Sequence, residues 1–167
     1  DWGNRLFNGN DGIASTSVRC SVFGGGTPTN TPAPTKTPVP TSTADGNSVL
    51  LFSGSSSASN WKQAVEVETS KNGGAFDASN IKKGGNFYVE YSGTKDQVEL
   101  IFQSWSGGSE WGKVQISESG SVNGHYFAKF SYENCVSAFG NNDFSGKLDK
   151  VFVGAAESSV TVYSVKY

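Results

Sequence analysis

All five prolines of this 167-residue chain fall between Pro28 and Pro40, and none follows. The stretch that holds them alternates Pro with Thr after a Gly24-Gly25-Gly26 start. Such a segment cannot bury apolar surface, so it is expected to be extended polyproline II. At about 3.1 Å per residue, its roughly twenty residues would span about 60 Å. It therefore divides the chain into a short tail (residues 1–23), a Pro/Thr-rich linker (24–45) and one candidate domain (46–167). The tail is too short to fold alone. It holds a plausible closing strand, Ser17 to Phe23, and reads as the end of a preceding domain. Thr-rich Pro segments are also O-glycosylation candidates on secreted proteins.

Residues 46–167 carry short apolar-alternating runs separated by Gly, Ser and Asn clusters. Eight strands are expected: Ser48–Ser53, Gln63–Thr69, Asn86–Tyr91, Gln97–Trp105, Gly112–Glu118, Tyr126–Ser131, Asp149–Ala155 and Val160–Val165. A helical turn is expected over Tyr132–Phe139, where Cys135, Val136 and Phe139 recur at helical spacing. No long helical pattern is present, so the predicted class is all-β, a β-sandwich of the jelly-roll kind. Aromatic residues make up 13% of the chain, enough to fill a core between two sheets.

Charge narrows the function. Net charge is −2 and the pI is about 5.4, which excludes a strongly basic nucleic-acid or membrane-surface protein. No stretch approaches the ~18 apolar residues of a membrane span. No charged start precedes an apolar run and Met is absent, so no signal peptide is expected and the chain reads as part of a longer protein. Two cysteines and one histidine exclude a disulfide framework and most zinc sites.

Alternation assigns faces. Val98, Leu100 and Phe102 point one way; Glu99, Ile101, Gln103 and Trp105 point the other. In the next strand Val114 and Ile116 read as core, leaving Trp111, Lys113 and Gln115 outward. The short Gly-rich link Ser106–Glu110 joins the two strands as a hairpin. Its outer face would gather Gln103, Trp105, Trp111 and Gln115, and an apolar patch rimmed by polar groups marks a binding site. Trp61 shares parity with the core-like Val65 and Val67, but it ends the Ser-rich loop Ser53–Asn60, so its phase stays open. Tyr88 is out of phase with Phe87, Val89 and Tyr91, on the binding face or on the far side of the sheet. A sugar offers an apolar C–H face and a rim of hydroxyls. Indole rings match the face and amides match the rim. The patch therefore suits a polysaccharide chain.

The segment Leu100-Ile-Phe-Gln-Ser-Trp-Ser-Gly-Gly-Ser-Glu-Trp-Gly-Lys-Val, with Asp149-Lys-Val-Phe-Val-Gly-Ala-Ala and Val160-Thr-Val-Tyr-Ser-Val, resembles carbohydrate-binding module family 65 and related modules of bacterial cellulases. The resemblance covers about residues 48–167. It implies a jelly roll that binds β-1,4-glucan, mixed-linkage glucan or xyloglucan in a shallow cleft on one sheet. Trp105 and Trp111 would be the central stacking platform, Trp61 a further one, and Gln103 a hydrogen-bonding partner. It also implies a secreted bacterial protein whose linker joins the module to a catalytic domain that degrades plant cell wall.

Other chemistries fit less well. Glycoside hydrolysis needs two flanking carboxylates. Glu99 and Glu110 lie near the patch, but a shallow face cannot desolvate an acid, so a small hydrolase is the weaker alternative. A protein-interaction or adhesion domain is another. No cofactor is implied. Asn141, Asn142 and Asp143 could offer oxygens to a structural calcium, though an Asn-rich turn is the simpler reading. His125 lacks partners for catalysis. Cys135 reads as a buried free thiol rather than the partner of Cys20.

Overall fold

The computed structural model describes residues 48–107 and 109–167. The expected tail 1–23, the linker 24–45 and Cys20 lie outside them. Nine strands form two antiparallel sheets stacked as a β-sandwich. The first sheet has the order β1 (Leu50–Ala58), β9 (Val160–Lys166), β3 (Asn86–Gly93), β7 (His125–Ser131), β6 (Glu118–Val122). The second has the order β2 (Gln63–Glu68), β8 (Lys150–Ala155), β4 (Val98–Gln103), β5 (Gly112–Val114). Two helices, α1 (Tyr132–Phe139) and α2 (Phe144–Lys147), lie between β7 and β8 in the chain.

The inward residues of each strand meet between the sheets. Val98, Leu100 and Phe102 of β4 are buried there, as are Val151 and Val153 of β8 and Phe87 and Val89 of β3. Phe102 is a hub. Its ring meets Phe87 at 5.6 Å, Phe139 at 5.9 Å and Phe144 at 5.7 Å, each edge-on. It thus joins one ring from the facing sheet and one from each helix.

The helix expected over Tyr132–Phe139 forms because both ends are satisfied. The Ser131 hydroxyl accepts the Asn134 N–H, and Gly140, at φ 69°, donates its N–H to the Val136 carbonyl. Its buried side is Cys135 and Phe139. Burial, then the Glu133 charge, push the Cys135 thiol up to about 12. Asn141 and Asp143 are occupied in the turn that follows. The Asn141 side chain accepts the Asp143 N–H, and Asp143 caps α2 by accepting the Gly146 N–H.

Two expectations need correction. The run Gly112–Glu118 is not one strand: β5 ends at Val114, and β6 begins at Glu118 in the other sheet. Ser119-Gly120, a pair common in turns, lies inside β6. A side chain at Gly120 would come within 2.7 Å of the Phe127 ring, so this glycine makes room for a cross-strand aromatic. The serines after Ser53, read as a loop, continue β1 as an edge strand along β9, with irregular register between Ser53 and Ser56. Their small polar side chains hide the alternation, but Ser57 still meets Thr161 across the pair at 2.8 Å.

His125 opens β7 directly after a turn formed by Asn123 and Gly124, whose φ are 52° and 84°. Its ring stacks on Tyr163 at 4.2 Å, and its Nδ1 lies 2.9 Å from the buried Glu90 carboxylate.

Because Phe102 serves both sheets and both helices, Phe102→Ala should cost about 3–5 kcal/mol. Urea unfolding followed by far-UV circular dichroism checks this; a loss under about 1 kcal/mol would show that the ring is no hub.

Candidate functional site

The outer surface of the second sheet carries the candidate site. Register fixes its middle row as Glu66 (β2), Phe152 (β8), Ile101 (β4) and Lys113 (β5). The neighbouring row runs Glu68, Lys150, Gln103. Three indoles rise at the margins of this surface. Trp61 precedes β2, Trp111 precedes β5, and Trp105 follows β4. Their exposures are 56%, 53% and 65%, and no other aromatic among the described residues is comparably open.

Each indole is held differently. Trp111 stacks on Phe152, centroids 5.5 Å apart and planes 23° apart. Since β4 lies between β5 and β8, the Trp111 ring must reach over β4, with Phe152 as its floor. Trp61 is set by its backbone. Asn60 and Trp61 have φ of 51° and 64°, and the Trp61 N–H donates to the Ala156 carbonyl at 2.8 Å. This left-handed pair resets the phase, so Trp61 is exposed although it matches Val65 in parity. The Lys113 ammonium sits 4.9 Å from the Trp61 ring centroid and pairs with the Glu99 carboxylate. Lys113 and Trp61 start from opposite edges of the sheet, so together they bridge it.

Trp105 has neither a ring nor a cation beside it among the described residues. Its N–H donates to Asp149 Oδ2 at 2.6 Å. Asp149 Oδ1 holds the Lys71 ammonium, which also donates to the Ser106 hydroxyl at 3.0 Å. Asp149 is only 4% exposed. Burial alone would raise its pKa, but the Lys71 ammonium and the Trp105 N–H outweigh it and hold the carboxyl below its usual 3.8.

The six residues read from the sequence fall in unequal places. Trp61, Trp105, Trp111 and Gln103 share this surface. Gln103 lies beside Lys150 and is largely buried. Gln115 is exposed one residue past β5, where the chain leaves for the other sheet, and its carbonyl accepts from the Asn134 side chain. Tyr88 does not belong here. It sits in β3 of the first sheet, stacked on Phe127 at 5.5 Å, so its outward phase puts it on the opposite side of the sandwich from the three indoles. Phe152 and Asp149 were missed. The parity of Phe152 against Val151 and Val153 could have revealed it; nothing local could have paired Asp149 with Trp105.

The acids do not form a hydrolytic pair. Glu99 is buried and committed to Lys113, and Glu110 is exposed in the loop before Trp111. Among the described residues no cluster of three or more metal-ligating side chains occurs. Open indoles bordering one face of a sheet in a β-sandwich offer apolar rings to the C–H faces of a sugar.

Comparison with known proteins gives the same class. The family described as carbohydrate binding module 65 domain 1 matches residues 52–165, and the chain belongs to that family. A solved carbohydrate-binding module of the endoglucanase Cel5A from Eubacterium cellulosolvens is 29% identical, with a TM-score of 0.51. The alignment covers 71% of this chain and 95% of that one. The module CBM65B, described as non-catalytic, is 30% identical with a TM-score of 0.52, over 70% of this chain and 94% of that one. No curated protein sequence matches. The module is thus a non-catalytic carbohydrate binder.

The depressed pKa of Asp149 has a stability consequence. A carboxyl lowered in the folded state contributes fully above its unfolded pKa and loses that contribution as pH falls through the folded value. The stability gap between wild type and Asp149→Asn should therefore be widest at neutral pH and narrow below about pH 4. Urea titrations of both proteins at pH 7, 4 and 2.5 check this. A gap that stays constant would mean that the charge of Asp149 contributes nothing.

Proposed function

We propose that this face binds a single β-glucan chain: β-1,4-glucan, mixed-linkage glucan or xyloglucan. Trp105 and Trp111 form the central stacking platform, Trp61 extends it, and Gln103 hydrogen-bonds the sugar, with Gln115 at the margin. The supporting observation is that the three open indoles all border one sheet face. An extended glucan repeats its apolar faces along one line, so separated rings around a shallow surface match a chain better than a single sugar. The solved relative from an endoglucanase supports a glucan over other polysaccharides.

Burying about 100 Å² against each indole, at ~25 cal/mol/Å², gives about 2–3 kcal/mol per ring. Ordering costs leave a dissociation constant of micromolar to millimolar order. Such affinity suits a module that concentrates a linked hydrolase on its substrate, where a tethered second site adds avidity. In this reading the protein is secreted by a bacterium that degrades plant cell wall, and the Pro/Thr segment is the spacer.

Native affinity electrophoresis tests the reading. Gels would contain xyloglucan, barley β-glucan, hydroxyethylcellulose, xylan or mannan. Retardation should occur with the glucans and fall at least tenfold in Trp105→Ala and in Trp111→Ala, with a smaller fall in Trp61→Ala. The order of retardation names the preferred glucan. Retardation only by xylan or mannan would replace the ligand, and none at all would turn attention to a protein partner.

A further inference from the structure

We infer that Asp149 and Lys71 are positioning residues that preset Trp105 for stacking, a role that rests on reading Trp105 as a glycan platform. Trp105 is the most exposed indole, and it opens a link rich in serine and glycine. Gly107 adopts φ 101°, and a side chain there would touch nothing within 4 Å. A link of this composition has many accessible conformations. Trp111 has Phe152 beneath it and Trp61 has Lys113 beside it, but Trp105 has no ring or cation of its own to rest on among the described residues. Something other than packing must fix the backbone from which the ring projects.

The hydrogen bonds supply that restraint on three successive residues. The Ser104 hydroxyl donates to the Lys147 carbonyl at 2.7 Å and accepts the Ser106 N–H at 3.1 Å. The Trp105 N–H goes to Asp149 Oδ2, and the Ser106 hydroxyl accepts from Lys71. Asp149 is itself held by its own backbone. Its N–H donates to the Gln103 carbonyl at 2.9 Å, and its carbonyl accepts from the Thr69 N–H at 3.0 Å and the Thr69 hydroxyl at 3.1 Å. Lys71 stands on the short 3-10 turn Ser70–Asn72 that follows Thr69. Asp149 thus ties the strand end before Trp105 through its own N–H, and its carboxylate ties the Trp105 backbone to the neighbouring turn. A buried carboxylate is costly unless paired and hydrogen-bonded. Here both of its oxygens are directed at the link, one through Trp105 itself and the other through Lys71 and Ser106. Presetting the ring removes an ordering cost that binding would otherwise carry.

The test uses the full chain labelled with 5-fluorotryptophan, which gives one fluorine signal per tryptophan; Trp105→Ala identifies the relevant one. Lys71→Met and Asp149→Asn should each shift and broaden the Trp105 signal while the Trp61 and Trp111 signals hold. Each should weaken binding to the best-retarding glucan about three- to tenfold. Lys71→Arg should restore both. In a Trp105→Ala background neither substitution should weaken binding further. Should Asp149→Asn fail to fold, Lys71→Met and Ser106→Ala carry the same comparison. The inference is overturned if the Trp105 signal does not move, if all signals move together, or if the affinity loss persists in the Trp105→Ala background. If Trp105→Ala itself leaves glucan binding intact, the platform reading has failed, and the clamp has nothing to preset for binding even where the fluorine signal moves.

Discussion

The structure depends on what β4 must do on its two faces at once. Inward, Val98, Leu100 and Phe102 close the core, and Phe102 alone joins the facing sheet to both helices. Outward, the alternate residues floor the candidate site and lead to Trp105. Side-chain period two links these demands: a one-residue slip would bury Glu99 and Gln103 in the core and turn Phe102 to water. The core therefore fixes the register of the site, and the site's floor has little freedom to drift independently of the fold.

Given that floor, the indoles are arranged by three different means. Trp111 uses an aromatic support from two strands away, Trp61 uses a left-handed backbone and a cation, and Trp105 uses a buried carboxylate. The common result is a ring open on at least one side and restrained at its base. A flexible indole would lose much of its stacking energy to ordering, since the gain per ring is only a few kcal/mol.

Much of this was legible in the sequence where a periodic signal existed. The alternation in 97–105 correctly divided β4 into core and surface. The capped segment Tyr132–Phe139 is a helix as its spacing implied. The failures have physical causes. In Ser53–Ala58 every side chain is small and most are polar, so no alternation marks the strand, although β9 supplies the pairing. In 112–122 the chain changes sheets, and a change of partner leaves no mark on apolar periodicity. The ambiguity over Trp61 came from carrying strand parity back through Asn60 and Trp61, where positive φ breaks it. Tyr88 was correctly outward, but parity cannot say which of two sheets a strand joins. Asp149 lies more than forty residues from Trp105 in the chain, and only the fold brings them together.

The same electrostatics explain why acidic residues on this face do not make it an enzyme. A glycosidase acid needs a raised pKa and freedom to give its proton to the leaving oxygen. Asp149 has the opposite shift and is occupied by a backbone N–H and an ammonium. Glu99 is buried against Lys113, and Glu66 shares Lys150 with Glu68. Each of these carboxylates is committed to a lysine. Carboxylates committed in this way brace the surface that the indoles border, which is compatible with a module that binds carbohydrate without cleaving it.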